Sequence, residues 1–262
     1  MKINKIIYLI LASFLLVFTA CDSIVDEQNL TDSTDVAGVE LIATQSTPGG
    51  NKITLKMASP GITGYWDYNL GQALTNEVTV VYPIPGKSTF TYVGSLGSKF
   101  FTKTIDVQID QLDTRLDQDY YDLVSENTAA GKTWVFDGTA GSGKLWWFMS
   151  PPGSPDGAMT AWWNAGDCCG PSDATGKMHF DLDKGANFNH YETQTATPTK
   201  GSFELDPVNK KLTIIGSKML GYAAGNKDGV YTIVTLTADK MVLYLSNNEA
   251  NATGWTFVFK PQ

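Results

Sequence analysis

Basic residues are scarce in this sequence: 19 lysines and arginines stand against 27 acidic residues, a formal net charge of −8 over 262 residues. No basic cluster interrupts that background, so the chain is a poor partner for nucleic acid or anionic lipid headgroups. Histidine is scarcer still, with only His179 and His190. There is no His-x-x-x-His helix, paired-cysteine zinc spacing, Gly-x-Ser-x-Gly elbow or phosphate loop. Gly141–Lys144 reads Gly-Ser-Gly-Lys but lacks the leading glycine and following helix of a phosphate cradle. No cofactor and no metal are expected. Of three cysteines, two are adjacent, Cys168 and Cys169, which excludes a disulfide framework. Outside the cytoplasm that pair could join as a vicinal disulfide, stay reduced or be buried. Long helical patterns are also lacking. Eleven per cent aromatics and 25 glycines favour an all-β chain, and the length allows one large or two ordinary domains.

Only one long apolar run exists, Ile6–Phe18, preceded by Lys2 and Lys5. A stable membrane anchor needs about 20 apolar residues, whereas this run has the length of a signal-peptide core. The segment Val17–Cys21 (Val-Phe-Thr-Ala-Cys) resembles the lipobox of bacterial lipoproteins, with Phe18 an uncommon occupant of the third place before the cysteine. The resemblance implies removal of residues 1–20 and acylation of Cys21, hence a lipid anchor in the outer membrane. Asp22, Asp26 and Glu27 resemble the export tag of surface lipoproteins, which implies exposure on the cell surface. Residues 1–20 hold two lysines and no acid, so the remainder carries 17 basic and 27 acidic residues, net −10. Residues 21–37, the lipidated cysteine and a polar stretch, read as a flexible tether.

From residue 38 short alternating runs begin, punctuated by Gly, Pro and Asn. Residues 38–43, 52–57, 89–93 and 104–109 read as strands. Gly64–Gly71 is aromatic-rich and contains Trp-Asp-Tyr, and Val78–Lys87 reads Val-Thr-Val-Val-Tyr-Pro-Ile-Pro-Gly-Lys. Together these resemble a PKD domain, which implies an immunoglobulin-like β-sandwich over residues 38–110 acting as a spacer. Trp66 and Tyr68, two apart, are expected to share the core face. Residues 111–131 read as a linker, with Leu112, Leu116, Tyr120 and Leu123 at the spacing of a short helix and a small, polar hinge at 125–131.

The second domain is expected over 132–262. Strand patterns at 132–137, 200–205, 211–215, 230–236, 241–245 and 255–260 suggest an antiparallel β-barrel or β-sandwich. The hairpin from Tyr231 to Leu245, with Gly254–Phe259, resembles lipocalin-like lipoprotein domains; a jelly-roll sandwich is the alternative. Four of seven tryptophans fall in two pairs, Trp146–Trp147 and Trp162–Trp163, among Gly, Pro and Asn. Neighbours in a strand point to opposite faces, so each extended pair would send one ring inward and one outward. Outward indoles beside short polar side chains suit sugars, whose C–H faces pack on the rings while amides and carboxylates bond the hydroxyls. The candidate ligand residues are therefore Trp146, Trp147, Trp162, Trp163, Asn164, Asp167 and Asp173; Trp134 and Trp255 belong to strand cores. The opposing reading makes all four rings plugs of the barrel.

His179, Asp181 and Asp183 share one strand face, which reads as solvated surface. The whole layout resembles the accessory glycan-binding lipoproteins of Sus-type uptake systems. That implies a non-catalytic protein whose partners are polysaccharide or oligosaccharide, the outer membrane through its lipid, and an outer-membrane transporter complex. One alternative is a glycoside hydrolase or other carbohydrate-active enzyme, with two carboxylates among Asp156, Asp167, Asp173, Asp181 and Asp183. Another is an adhesion or structural lipoprotein without a small ligand, in which every tryptophan is buried.

Overall fold

The computed structural model describes residues 38–96, 99–247 and 252–262. The export signal, Cys21 and the tether lie outside the described residues.

The N-terminal strands form two antiparallel sheets. One contains β1 (Leu41–Gln45), β2 (Lys52–Met57) and β5 (Glu77–Val81), in the order β1-β2-β5. The other contains β3 (Thr63–Asp67), β4 (Gln72–Ala73), β6 (Gly86–Leu96) and β7 (Lys99–Ile109), in the order β4-β3-β6-β7. This is an immunoglobulin-like sandwich. Strand β2 shows why: Ile53, Leu55 and Met57 alternate into the core while Lys52 and Lys56 face water. From the opposite sheet Trp66, Phe90, Tyr92 and Phe101 meet them, with Trp66 and Tyr92 edge-to-face at 5.2 Å. Asn76 satisfies the polar atoms of that pair. Its carbonyl accepts from the Trp66 indole (3.2 Å) and its Oδ1 from the Tyr92 hydroxyl (2.6 Å). Tyr82–Pro85 carries the chain from one sheet to the other, and Gly86 follows at φ +103°. Tyr68 departs from expectation. Strand β3 stops at Asp67 and Asn69 turns left-handed (φ +68°), so Tyr68 leaves the Trp66 row and stays half-buried at the domain junction.

The linker is stitched to both domains. Asn51, fully buried in the sandwich, donates to the Thr114 carbonyl and accepts from its amide, both at 2.9 Å. Helix α1 (Gln118–Val124) is capped by the Asp117 carboxylate on the Asp119 amide at 3.0 Å. Its last turn buries Leu123 and Val124 against the barrel, and the Trp134 indole donates to the Leu123 carbonyl (2.9 Å). Lys210 pairs with Asp119 at 2.7 Å. The expected hinge at 125–131 is a closed loop: Gly131 donates to the Asn127 carbonyl, and Gly131 (φ +72°) lies where a Cβ would strike the Phe180 carbonyl at 2.3 Å.

The C-terminal domain is a closed eight-stranded antiparallel barrel, not a jelly roll. Its strands are β8 (Lys132–Phe136), β11 (Lys177–Asp181), β12 (Asn187–Tyr191), β13 (Thr199–Asp206), β14 (Lys211–Ile215), β15 (Val230–Thr237), β16 (Lys240–Leu245) and β17 (Gly254–Pro261). They pair in sequence, and β17 returns to β8 through Phe259↔Phe136 and Pro261↔Trp134. An eight-stranded barrel is just wide enough for side chains to fill it. Here Trp134, Phe136, Phe180, Phe188, Phe203 and Phe257 do so, all nearly or fully buried. Strand β12 had no clear sequence signal, because Asn187 and Asn189, both turn-favouring types, occupy its outer face.

The sandwich lies against the outer wall of β13 and β14. Burial there, and then the Asp67 carboxylate, raise the Glu204 carboxyl above its ordinary range. Burial followed by Asp206, Glu204 and Asp67 likewise pushes up the Tyr68 phenol.

Two predictions arise. Trp134→Ala removes a fully buried ring and its bond to the plug helix, and should cost about 3–5 kcal/mol in urea unfolding of residues 22–262. A loss under about 1 kcal/mol would mean that α1 does not close the barrel. Glu204 holds its proton more tightly folded than unfolded, so its contribution to stability falls as pH rises above the ordinary glutamate range. Glu204→Gln should therefore gain most over wild type near pH 7 and lose that advantage towards pH 4. A difference that does not change with pH would refute the assignment.

Candidate functional site

Between β8 and β11 the chain makes a long excursion that adds two short strands to the barrel rim. Strand β9 (Trp147–Ser150) pairs with the first half of β17, as Phe257↔Trp147 and Trp255↔Met149. Strand β10 (Trp163–Asn164) pairs with β9, as Trp163↔Met149. Paired residues share a face, so Trp147, Trp163 and Trp255 converge on one side. The Trp147 ring lies 4.4 Å from Trp255 and 5.8 Å, edge-on, from Trp163; Trp163 and Trp255 are 6.0 Å apart. Trp147 and Trp255 are buried and Trp163 half-buried.

Trp162 turns the other way. Its amide is fixed by the Met149 carbonyl (2.8 Å), yet its side chain is 57% exposed, near Met159 in sequence, itself 44% exposed. The second pair thus behaves as the strand rule requires. The first does not: Trp146 and Trp147 are both buried. Trp146 stands edge-on to Phe136 at 4.8 Å and is covered by loops. Gly138 and Gly170 lie so close to its ring that an added Cβ would approach to 2.5 and 2.6 Å. The indole nitrogens of Trp146, Trp147 and Trp255 are buried without a protein partner.

The polar candidates divide in the same way. Asn164 is buried, and its Oδ1 accepts from the Gly166 amide at 3.0 Å, a local turn bond that shapes the loop. Asp173 is buried at the barrel end, accepting from the Gly221 amide (3.0 and 3.2 Å) and from His190 Nε2 (3.2 Å). Gly221 has φ +80°, and a Cβ there would meet the Trp147 indole nitrogen at 2.7 Å. Asp173 and His190 therefore tie loop 165–176 to the loop around 221. His190, Gly221 and Met159 were not singled out in the sequence. Only the inward position of His190, opposite Met178 in β11, could have pointed to it, once strand β12 was known.

Between those anchors Asp167, Cys168 and Cys169 are exposed, and the two cysteines are joined by a disulfide. Of the seven candidates, Trp162, Trp163 and Asp167 reach the surface; Trp146, Trp147, Asn164 and Asp173 are buried. Among the described residues no group of three His, Cys, Asp or Glu side chains is arranged to hold a metal. Asp181 accepts from Asn187 Nδ2 (2.6 Å) and from the Asp183 amide (3.0 Å), in a polar groove of about 300 Å³ on the barrel wall that none of the tryptophans lines.

Fold and site define an all-β protein, a sandwich and an eight-stranded barrel, with an aromatic rim. No protein-family model matches the sequence, and no curated protein matches it.

The disulfide is directly testable. In a soluble form of residues 22–262, iodoacetamide should label no cysteine before reduction and two after, by intact mass. Two labels without reduction would show the pair to be free thiols.

Proposed function

We propose that this protein is a lipid-anchored outer-membrane lipoprotein, displayed on the cell surface, that binds polysaccharide without cleaving it. The observation that carries the reading is Trp162, an exposed indole on a backbone fixed to β9, beside a half-buried Trp163 wedged against Trp147 and Trp255. A fixed backbone beneath the ring means that little backbone entropy is lost when a sugar ring stacks there. The reading without a small ligand requires every tryptophan in the core, and Trp162 is not. The hydrolase reading finds less support, because Asp173, the carboxylate buried beneath the rim, is committed to Gly221 and His190. On this proposal the sandwich is a PKD-like spacer, Cys21 carries the lipid, and the bound glycan is presented to a transporter of the outer membrane.

Affinity gel electrophoresis of residues 22–262 tests it, using starch, xylan, mannan, mixed-linkage β-glucan, pectin and mucin, each lane paired with a reducing-end assay. Retardation on at least one polymer without new reducing ends is expected. Trp162→Ala should weaken that interaction about tenfold, the worth of one stacked ring, while leaving the melting temperature unchanged. New reducing ends would move the case to the hydrolase. Retardation indifferent to Trp162 would remove the rim from the site.

A further inference from the structure

Two sizeable clefts lie away from the aromatic rim. One of about 600 Å³ and one of about 500 Å³ lie between the sandwich and the barrel wall. Leu70 and Glu204 line both, so the two clefts adjoin there and are taken together as the arms of a junction groove. Each arm alone has the volume of a small-ligand site, and junctions between domains are where such sites concentrate.

Each arm is amphipathic. In the first, Asn69, Thr89 and Ser202 stand over Leu70, Ile84 and Ile215, the last 44% exposed although it is a large aliphatic side chain. Asn69 Nδ2 is used on the Tyr82 hydroxyl (3.3 Å) and the Thr89 carbonyl (3.0 Å), which orients its carbonyl oxygen as a fixed acceptor. In the second arm the half-buried rings of Tyr68 and Tyr120 lie with Gln72, Asn209 and Thr213. Charges of both signs line the groove, Lys87, Lys184 and Lys211 against Glu204 and Asp206, and Lys87 is already paired with Asp106 at 2.8 Å. Adjoining clefts that combine apolar side chains with hydroxyls and amides, and carry charges of both signs, suit a neutral oligosaccharide better than an ion or a lipid.

We propose that this junction groove is a second carbohydrate site, separate from the Trp162 rim and sharing with that reading only the class of ligand. Occupancy bridges the segment after β3, residues 68–71, and β13, so a bound chain holds the two domains together.

Isothermal titration of residues 22–262 with cellohexaose, xylohexaose, mannohexaose, maltohexaose and laminarihexaose tests it. The comparison uses Trp162→Ala, Ser202→Trp and Ile215→Glu; both groove positions are exposed, so either can stand in should the other fail to fold. At least one hexasaccharide should still bind Trp162→Ala, and the groove substitutions should weaken that residual binding at least tenfold. Binding lost in the groove variants but unaltered in Trp162→Ala would support the groove and discard the rim. Binding abolished by Trp162→Ala and indifferent to both groove substitutions would overturn the groove while leaving the rim in place. No heat with any of the five sugars would also overturn the groove, and the polymer gels would still decide the rim.

Discussion

Closure of the barrel through β17 is the constraint on which the rest of the C-terminal domain depends. This strand has two neighbours in succession along one edge: β9 against residues 254–257 and β8 against residues 259–261. Between them the Asp137 amide donates to the Val258 carbonyl (2.9 Å) and the Val258 amide to the Trp146 carbonyl (2.8 Å), so the ladder runs on while residues 138–145 loop out. The closed ladder leaves no free edge within the barrel. It also fixes Trp147 and Trp255 side by side and gives β10 a strand to pair with. Without β17 in register there would be no rim.

Much of the architecture was legible because alternation reports burial directly. Strands β2 and β14 could be read from the chain with their observed bounds, and β17 one residue short at each end. Closure could not be read, since a sandwich and a barrel have the same alternation and differ only in whether β17 meets β8, more than a hundred residues earlier. Tyr68 shows another limit. A left-handed Asn69 ends the strand rule one residue early, and no periodicity records it.

At the rim, alternation separated Trp162 from Trp163 but failed for Trp146 and Trp147. The outward ring of that pair is covered by the chain's own loops, which needed glycine at 138 and 170 to approach it. Asn164 and Asp173 were singled out for chemistry that a ligand would use. The fold uses them first, for a turn and for a carboxylate hub. Short polar side chains serve both purposes equally well, so composition alone cannot divide them.

The linker helix has a mechanical consequence. The chain passes from sandwich to barrel only through α1, and that helix also stoppers one end of the barrel through Leu123 and Trp134. A pull on the N-terminal side is therefore borne by the stopper before any barrel strand feels it. Under rising force α1 would peel away first, adding a few nanometres of slack while the interstrand ladders above it stay zipped.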